Sequence, residues 1–378
     1  MRNTVIAGYA RSPFHLATKG DLARVRPDDL AAQVIRGLIE KTRIDAADIE
    51  DIILGCAFPE GEQGLNVARL IGLLADLPLS VGGMTVNRFC GSSMSAIHIA
   101  MGQIQLGAGE AFICAGVESM SRVPMMGFNP LPNPTLAAKS AAYMGMGDTA
   151  ENVATKYQIT RAEQEAFAVG SQQKAAAARS GGKLSDEIIP IKTKTGVVSE
   201  DGTLRPDTNA EGLAGLKPAF DQNGSVTAGT SSPLTDGASA VLVTSEDYAR
   251  AHGLEILARI KSVGIAGCAP EIMGIGPVGA STKALERAGI NVGDLDVVEL
   301  NEAFASQALA CMRDLGLKPD TVNIDGGAIA IGHPLGATGA RIVGKAASLL
   351  KREGGHYALA TQCIGGGQGI ATVLEAAE

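Results

Sequence analysis

Hydrophobic and polar positions alternate along the chain in two similar series of helices and buried strands. In the first half, a helical apolar pattern over residues 30–39 precedes an acidic turn and a β-branched run at 48–54. In the second half, a helical pattern over 281–288 precedes the same kind of turn and run at 294–300. An acidic turn that leads into a β-branched run is typical of a helix passing into a buried strand.

The spacing after these runs is also similar in the two halves. Cys90 follows Asp48 by 42 residues and stands at a Gly/Ser turn, while His333 follows Asp294 by 39 residues and stands at a Gly/Pro turn. Each turn precedes a helical pattern, and each of those helices precedes an apolar strand. These strands are predicted at 111–115 and 358–363. Two α/β halves with similar spacing predict a duplicated βαβ architecture.

The pattern changes between residues 119 and 232, which are rich in Pro, Met, Gly and polar residues. One helix start stands out there, because Thr160 and Glu163 have the spacing of a capping box. Such a long departure from a βαβ pattern predicts a substrate-facing insertion rather than part of the sheet. A polar helical segment at 245–254 is expected to link the two halves.

Composition narrows the class of protein. The 378 residues allow two to three domains or one large one. A net charge of −8 argues against a nucleic-acid binder, which usually carries a basic face. The 48 glycines are about 13% of the chain, nearly twice the usual ~7%. With 46% hydrophobic residues, this glycine content indicates a tightly packed globular protein with close backbone contacts.

Membrane, export and metal signals are not evident in the sequence. The longest uncharged stretch, 89–109, contains too many Gly, Ser and Gln residues for a bilayer helix. The N-terminus has one early Arg and then a strand-like run, without a signal or transit peptide pattern. Six cysteines form no C-x-x-C pair and no zinc-like spacing with the five histidines. We therefore expect a cytoplasmic protein with reduced thiols, no metal and no membrane association.

Cys90 lies in the sequence VNRFCGSSM, where a strand-like run meets an uncharged helix. A thiol at the N-terminus of a helix feels the positive end of the helix dipole, which favours the thiolate. This position predicts a nucleophile. The alternative is a buried cysteine that packs as a small hydrophobic residue, and the local sequence leaves both interpretations open.

His333 lies between Gly332 and Pro334 in the sequence GGAIAIGHPLG, on a turn rather than on a helix face. This setting favours a side chain that faces a cleft, and imidazole is a suitable base for a thiol at neutral pH. His98, by contrast, falls in the middle of an apolar helical pattern, and a core role is expected for it.

Two more polar positions follow predicted strands. Cys363 ends a strand and precedes IGGGQG, which leads into no clear helix and therefore favours an oxyanion-binding turn over a phosphate loop. Asn301 begins the sequence NEAF at the carboxyl end of a strand, the edge where α/β sheets bind ligands. Ordinary helix capping is the alternative for Asn301. The sequence GIGPVG at 274–279 matches a dinucleotide motif by letter but lacks the βαβ frame that the motif requires.

Together these segments resemble the thiolase family over almost the whole chain, from Val5 to Val373. The motifs that carry the resemblance occur in the family's order: VNRFCGS at 86–92, NEAFA at 301–305, GGAIAIGHP at 326–334 and CIGGG at 363–367. The resemblance implies an α/β fold of two βαβαβαββ halves that form a five-layered α-β-α-β-α core. It implies an N-terminal half at 1–246, with a loop domain inserted at about 119–232, and a C-terminal half at 254–378.

The resemblance also implies an acyl-CoA C-acyltransferase. Such an enzyme cleaves 3-ketoacyl-CoA with coenzyme A to acetyl-CoA and a shortened acyl-CoA, or runs the reverse Claisen condensation. Cys90 would carry the acyl group, and His333 would act as base and as part of an oxyanion hole. Cys363 would donate and accept protons, Asn301 would hold an oxyanion-binding water, and the backbone N–H of Gly365 would bind the acyl-enzyme oxyanion.

Further positions match the family's substrate-binding residues. Those implied to contact coenzyme A or the acyl group are Ser232, Arg205, Met144, Phe220, Met273 and Phe304. Coenzyme A and acyl-CoA would be substrates, with no permanently bound cofactor. The family resemblance implies a homodimer or homotetramer, or a hetero-complex with a β-oxidation partner.

The subfamily is indicated by two segments. Tyr143-Met144-Gly145 lies where short-chain biosynthetic thiolases commonly have His-Met-Gly, and the tyrosine departs from that pattern. The segment 268–277 is more similar to 3-ketoacyl-CoA thiolases of fatty-acid degradation. We therefore favour a degradative enzyme, with a short-chain acetoacetyl-CoA thiolase as the alternative.

Three other classes are less consistent with the motifs. A cysteine hydrolase would leave the second thiol, Cys363, unexplained. A ketoacyl synthase would usually carry two active-site histidines, or His and Asn, without this second cysteine. A non-catalytic acyl-CoA binding protein should have lost at least one of Cys90, His333, Asn301 and Cys363, and all four are present.

Overall fold

Strands and helices alternate along residues 2–377, the part of the chain that the computed structural model describes. The strands are β1 (Thr4–Arg11), β2 (His15–Leu16), β3 (Asp51–Gly55), β4 (Gly82–Val86), β5 (Ala111–Ser119), β6 (Ile191–Thr193), β7 (Gly196–Val198), β8 (Thr235–Ser245), β9 (Ala258–Gly267), β10 (Val297–Leu300), β11 (Tyr357–Ile364) and β12 (Gln368–Glu375). The α-helices are α1 (Pro27–Thr42), α2 (Val67–Leu74), α3 (Ser92–Leu106), α4 (Pro134–Lys139), α5 (Met146–Lys156), α6 (Arg161–Ser180), α7 (Ala210–Ala214), α8 (Glu246–Ala251), α9 (Gly276–Ala288), α10 (Ala305–Leu315), α11 (Ala328–Ile331) and α12 (Leu335–Glu353).

Each half of the chain builds a sheet with the same strand pattern. In the first half the order is β4-β3-β5-β8-β1, where β3 is parallel to its two neighbours and β8 is antiparallel to its own. In the second half the order is β10-β11-β12-β9, where β10 and β11 are parallel and β12 is antiparallel to both neighbours. A parallel bridge from Val298 to Val322 takes the place beside β10 that β4 takes beside β3. The hydrogen bonds therefore confirm the predicted duplication.

The two sheets meet edge to edge and enclose a central pair of helices. Strands β1 and β9 are antiparallel over two residue pairs, Val5 with Arg259 and Ile6 with Ala258. Helices α1 and α2 pack on the outer face of the first sheet, and α9 and α10 pack on the outer face of the second. Helices α3 and α12 share one core with residues of both sheets, including Phe112 and Ile370. This arrangement gives the five-layered α-β-α-β-α order.

Glycine allows the two central helices to approach closely. A Cβ added to Gly339 of α12 would lie 2.8 Å from Met94 Cβ in α3. One residue later, the backbone N–H of Ala340 donates a 2.8 Å hydrogen bond to Ser93 Oγ. This close approach of α3 and α12 accounts for part of the high glycine content of the sequence. None of the helices within residues 2–377 is both long and apolar enough to cross a membrane.

The segment between β5 and β8 contains more helix than the sequence pattern predicts. The helix expected after Thr160 is α6, and both hydrogen bonds of the predicted capping box are present. Helices α4, α5 and α7 were not predicted, since α4 and α7 are short and the region is rich in Pro and Gly. Helix α6 packs against α10 and α11, and α5 packs against α10, so this segment lies against the second half. The predicted boundaries of the halves and of the loop domain stay a prediction.

Candidate active site

Cys90 lies on a constrained turn between β4 and α3. Phe89, immediately before it, adopts φ 45°, a left-handed conformation that is unfavourable for a residue with a Cβ. The side chain of Asn87 holds this turn, because its Oδ1 accepts from Phe89 N at 2.8 Å and its Nδ2 donates to Ala57 O at 3.0 Å. The side-chain amide of Gln362 donates to the carbonyl of Cys90. The nucleophile predicted from sequence is therefore held at a fixed position.

Gly365, on the loop between β11 and β12, directs its backbone N–H to the sulfur of Cys90. The glycines that follow adopt left-handed φ angles of 80° and 88°, at Gly366 and Gly367, which allow this tight turn. The Cys90 N–H also points to its own sulfur. The structure thus places two backbone donors beside the sulfur, in reach of the oxygen of an acyl group that Cys90 would carry.

The expectation that the helix terminus favours a thiolate at Cys90 is wrong for the unliganded site. Burial raises the pKa of Cys90 to about 11, against the effect of the two N–H groups, and the charge of Glu118 adds to the increase. Removal of a charged sulfur from water therefore outweighs the helix terminus here. The resting side chain is a thiol, and it needs a base when it reacts.

His333 lies just before α12, and its ring is held in one orientation. The hydroxyl of Thr338 donates to Pro334 O at 3.0 Å, and its oxygen lies 2.6 Å from His333 Nδ1. Since the hydroxyl proton is directed to Pro334, the Thr338 oxygen accepts from Nδ1–H. The proton on Nδ1 leaves Nε2 as the acceptor, and Asn301 Nδ2 lies 3.4 Å from that atom.

The electrostatic environment keeps His333 neutral. Burial lowers the pKa of His333 to about 3, and the positive charge of Arg341 contributes to the decrease. A neutral imidazole with a free Nε2 lone pair is the form that can take a proton from a thiol. Leu335 packs in the same small cluster as Cys90, so the two turns are in contact.

Asn301 is not a helix cap, the alternative that the sequence left open. Helix α10 begins at Ala305, four residues after Asn301, and its N-cap residue is Phe304. Asn301 is fully buried, and its Oδ1 has no hydrogen-bond partner within the described chain. A buried amide that lacks a partner and faces His333 fits a group that binds a further polar atom.

Cys363 is buried at the end of β11, close to Cys90. Burial raises the pKa of Cys363 well above its ordinary value, and interaction with Cys90 is the next cause. The Cys363 side chain is therefore protonated in the resting site. A thiol that stays protonated in the resting site is nevertheless suited to donate a proton to a developing carbanion.

A cavity of about 490 Å³ opens beside Cys90 and is mostly apolar, with Glu60 and Asn87 among the residues that line it. Met144, one of the predicted substrate-binding residues, lines it together with Tyr143. The hydroxyl of Tyr143 accepts from the backbone N–H of Asn133 at 3.0 Å, which ties two parts of the lining. The rest of the lining comes mainly from Phe58, Phe89, Met125, Met126, Leu131 and Met146.

The other predicted substrate-binding residues fall into two places. Met273 and Phe304 pack in one cluster with Cys363, and the ring of Phe220 contacts that of Phe304 at 5.9 Å between centroids. Ser232 joins them, because its N–H donates to Ala303 O at 3.0 Å. Arg205 is exposed, and within residues 2–377 its guanidinium has no ion-pair partner. The structure does not bring Arg205 into contact with the other four.

Sequence reasoning missed two residues at the site. Met146 lies between the cavity and the Cys363 cluster, and its sulfur would be 3.5 Å from a Cβ at Gly365. The repeated Met-Gly pair at 144–147 was the available signal, and only the first pair was considered. Thr338, which orients His333, gave no signal because it lies one turn along a helix. No group of three or more His, Cys, Asp or Glu residues in the described chain could hold a metal ion.

Comparison with known proteins agrees with this geometry. Residues 4–247 match the family model "Thiolase, N-terminal domain", and residues 254–376 match "Thiolase, C-terminal domain". A 3-ketoacyl-CoA thiolase of Bacillus subtilis is 46% identical over 99% of this chain and 100% of its own. One of Shewanella frigidimarina is 48% identical over the same shares. The crystal structure of human mitochondrial 3-ketoacyl-CoA thiolase in complex with CoA superposes with a TM-score of 0.92 at 36% identity, covering 100% of this chain and 98% of the other.

Proposed function

The chain belongs to the thiolase family, and from this premise we propose that it is a 3-ketoacyl-CoA thiolase that works through an acyl-enzyme on Cys90. The reaction transfers an acyl group to coenzyme A and releases acetyl-CoA. One observation carries the proposal: two free thiols, Cys90 and Cys363, meet at one turn, where the side-chain amide of Gln362, next to Cys363, donates to the carbonyl of Cys90 and the N–H of Gly365 points to the Cys90 sulfur. Thiolysis needs both an acyl carrier and a separate proton donor, and this pair supplies them.

In the first half-reaction, His333 Nε2 takes the proton of Cys90 while the sulfur attacks the 3-keto carbon. The carbonyl oxygen becomes an oxyanion and binds the N–H groups of Cys90 and Gly365. The bond between C2 and C3 then breaks, which leaves a thioester on Cys90 and the enolate of acetyl-CoA. His333 and a water held by Asn301 stabilise the enolate oxygen, and Cys363 gives its proton to C2.

In the second half-reaction, the Cys363 thiolate takes the proton of the coenzyme A thiol. The sulfur of coenzyme A attacks the thioester carbon, and the new oxyanion binds the same two N–H groups. The carbon–sulfur bond to Cys90 breaks, the shortened acyl-CoA leaves, and Cys90 regains its proton from His333. Removal of one oxyanion-hole donor from an acyl-transfer enzyme costs roughly 10²–10³ in kcat.

We further propose that the acyl chain occupies the apolar cavity and that the enzyme acts in fatty-acid degradation. The cavity opens at Cys90, while Phe220, Met273, Phe304 and Ser232 lie on the Cys363 side and are not part of its lining in the described chain. An acetyl group would leave most of about 490 Å³ empty. Methionine side chains adapt to chains of different length, and Met125, Met126 and Met144 line this space.

The test is thiolysis with coenzyme A of 3-ketoacyl-CoA substrates of four carbons and of eight to sixteen carbons. We expect the longer substrates to be cleaved at least as fast as acetoacetyl-CoA, and Cys90→Ala to abolish cleavage of all of them. Activity confined to acetoacetyl-CoA would contradict the degradative assignment and favour the short-chain alternative.

Cys363→Ala separates a thiolase from a cysteine hydrolase. We expect this variant to lose thiolysis while Cys90 still forms an acyl-enzyme with a pre-formed acyl-CoA, detected by intact mass spectrometry. If the acyl-enzyme of the wild-type protein reacts with water as fast as with coenzyme A, the result would favour the hydrolase. Absence of any acyl-enzyme would favour an acyl-CoA binding protein.

We also propose that the protein is a homo-oligomer. Strand β4 lies at one end of the strand order, and α2, which packs beside it, exposes Leu70, Leu73 and Leu74 by 39%, 43% and 41%. Exposed apolar patches and free strand edges are commonly covered by another subunit. Light scattering should give a multiple of 38.6 kDa, and a monomer at micromolar concentration would contradict this proposal.

A further inference from the structure

Glu118 is a buried carboxylate in β5 that accepts hydrogen bonds on both oxygens. Its Oε2 accepts from Ala57 N at 2.8 Å and from Gly336 N at 2.9 Å. Its Oε1 accepts from Phe58 N at 3.2 Å and from Gln63 Nε2 at 2.8 Å. Burial raises the pKa of Glu118, while these donors act in the opposite direction. Since every contact is a donor, the geometry fits the carboxylate form.

One pair of donors connects Glu118 to the turn that carries Cys90. Ala57 and Phe58 follow β3 and line the cavity beside Cys90. The carbonyl of Ala57 accepts from Asn87, whose side chain in turn accepts from Phe89 N. The rings of Phe58 and Phe89 also contact each other, at 5.9 Å between centroids. Glu118 is therefore linked to Phe89, the residue before Cys90, through three successive hydrogen bonds and a ring contact.

The remaining backbone donor connects Glu118 to the turn that carries His333. Gly336 lies in the first turn of α12, three residues after His333, where helix N–H groups lack partners within the helix. A Cβ at Gly336 would lie 2.6 Å from Val117 O and 2.7 Å from Gly55 O, so this backbone is pressed against β3 and β5. Glu118 thus satisfies a free donor of α12 from the opposite half of the molecule.

We infer that Glu118 is a positioning residue that ties the Cys90 turn to the His333 turn through one buried carboxylate. This inference rests on the proposed function, because it concerns how the nucleophile and its base keep their separation. Each turn belongs to a different half of the duplicated fold, and Glu118 accepts from the backbone at both. A shift of about 1 Å between reacting groups can reduce the rate roughly 100-fold.

The charge of Glu118 provides a readout that a purely structural role would not affect. Burial and then Glu118 raise the pKa of Cys90. The other titratable groups around Cys90 are the Cys363 thiol on β11, His333 before α12, and Glu60 and Tyr143 in the lining of the cavity. The Cys56 thiol contacts Glu118 itself, 3.7 Å from Oε1, and burial raises its pKa well above the ordinary value. The substitution of Glu118 changes none of these side chains. Removal of the Glu118 charge should therefore move the titration of Cys90 to lower pH.

Asp236 offers a matched control. It is a buried carboxylate on β8, the strand that pairs with β5, and it faces Ser119, one residue from Glu118. It accepts from Ser119 Oγ at 3.1 Å and from Ser121 N at 2.9 Å. Asp236→Asn therefore removes a neighbouring buried charge whose own hydrogen bonds go to the segment 119–121 and to neither catalytic turn, although Thr235 beside it accepts from His333 N at 3.0 Å.

The experiment compares Glu118→Gln, Glu118→Asp and Asp236→Asn with the wild-type protein. We measure kcat for thiolysis and the pH midpoint of Cys90 alkylation by iodoacetamide, followed by peptide mass spectrometry. For Glu118→Gln we expect kcat to fall roughly 10- to 100-fold and the alkylation midpoint to move to lower pH. Glu118→Asp should lower kcat, because its carboxylate is shorter, but leave the midpoint near that of the wild type. Asp236→Asn should leave the midpoint unchanged.

A midpoint in Glu118→Gln that equals the wild-type value, with kcat no lower than in Asp236→Asn, would overturn the inference. If Glu118→Gln does not fold, Glu118→Asp decides, since wild-type kcat in that variant would also overturn it. A wild-type protein that shows no thiolysis but an alkylation midpoint that depends on Glu118 would refute the proposed function. In that case the link between the carboxylate and the Cys90 turn would still stand.

Discussion

The hydroxyl of Thr338 determines which nitrogen of His333 is free to act as a base. It accepts from Nδ1 at 2.6 Å and donates to Pro334 O at 3.0 Å. Thr338→Val keeps the shape of the side chain and removes both hydrogen bonds. Pro334 O retains the N–H groups of Ala337 and Thr338, at 2.9 and 3.1 Å, so only His333 Nδ1–H loses its partner.

The expected magnitude follows from that single unpaired donor. A buried donor without a partner costs about 1–3 kcal/mol, and His333 can relieve this cost by rotation of the ring or by transfer of the proton to Nε2. Either change removes the lone pair that accepts the proton of Cys90. We therefore expect kcat/KM for thiolysis to fall roughly 5- to 150-fold, the equivalent of that energy at about 1.4 kcal/mol per tenfold change.

The assay is thiolysis over a range of 3-ketoacyl-CoA concentrations, with Thr338→Ser as the control that keeps the hydroxyl. The serine variant should stay close to the wild type, and the valine variant should bind coenzyme A normally in calorimetry while turning over slowly. Wild-type kcat/KM in Thr338→Val would refute the reasoning, because it would mean that the Nε2 lone pair does not depend on this hydroxyl.

Three further outcomes are expected. Gly339→Ala should lower the free energy of unfolding by about 1–3 kcal/mol, because the added methyl group overpacks against α3. At Gly170 of α6 an added Cβ would meet nothing within 4 Å, so Gly170→Ala should raise the free energy of unfolding by about 0.5–1 kcal/mol through helix propensity. Chemical denaturation measures both changes. Alkylation of Cys90 in the free enzyme should accelerate about tenfold per pH unit from pH 7 to 9, because its pKa is about 11, and a plateau near pH 8 would contradict this. Lys345→Met should cost about 3–5 kcal/mol at pH 7, because two buried carboxylates lose a partner at 2.9 and 2.7 Å, which leaves Glu187 with Arg11 alone and Asp325 with Arg352 alone. Burial raises the pKa of Glu187, but Lys345 and Arg11 outweigh burial and hold that pKa below its ordinary value. The stability from the Glu187–Lys345 pair is therefore present above pH ~4.3 and lost as the pH falls. Urea titrations should show a smaller effect of the substitution at pH 3 than at pH 7.

The sequence was informative where a residue's role follows from its position at the end of a strand or the start of a helix. Cys90 and Asn301 follow strands that the apolar pattern locates well, Cys363 lies at the end of one, and their relation to the sheet edge is a consequence of α/β geometry. Thr338 could not be predicted in the same way, since its role depends on the rotamer of His333 and not on its place in an element. The three helices missed before and after α6 are short or flanked by Pro and Gly, and tertiary contacts support two of them, since α5 packs against α10 and α7 packs against α6.

The ionisation state of Cys90 was predicted wrongly for a physical reason. The sequence places the thiol at a helix terminus, and the dipole favours the thiolate by about 0.3–1 kcal/mol where the site is exposed. Burial cannot be read from the local sequence, because the residues that cover Cys90 come from loops far along the chain, such as Met125 and Gly365. Burial shifts a thiol pKa by several times the dipole effect, so the structure reverses the sign of the expectation.

The duplication explains why the nucleophile and the base meet at all. Cys90 and His333 precede equivalent helices, α3 and α12, which lie between the two sheets. The N-terminal ends of these helices converge on β5, where a Cβ at Gly116 would lie 2.7 Å from Ser93 Cβ and 2.8 Å from Ala337 Cα. The pseudo-symmetry of the fold therefore places the turn before α3 and the turn before α12 side by side. In the proposed mechanism, the thiol on one of these turns and the imidazole on the other form the nucleophile–base pair.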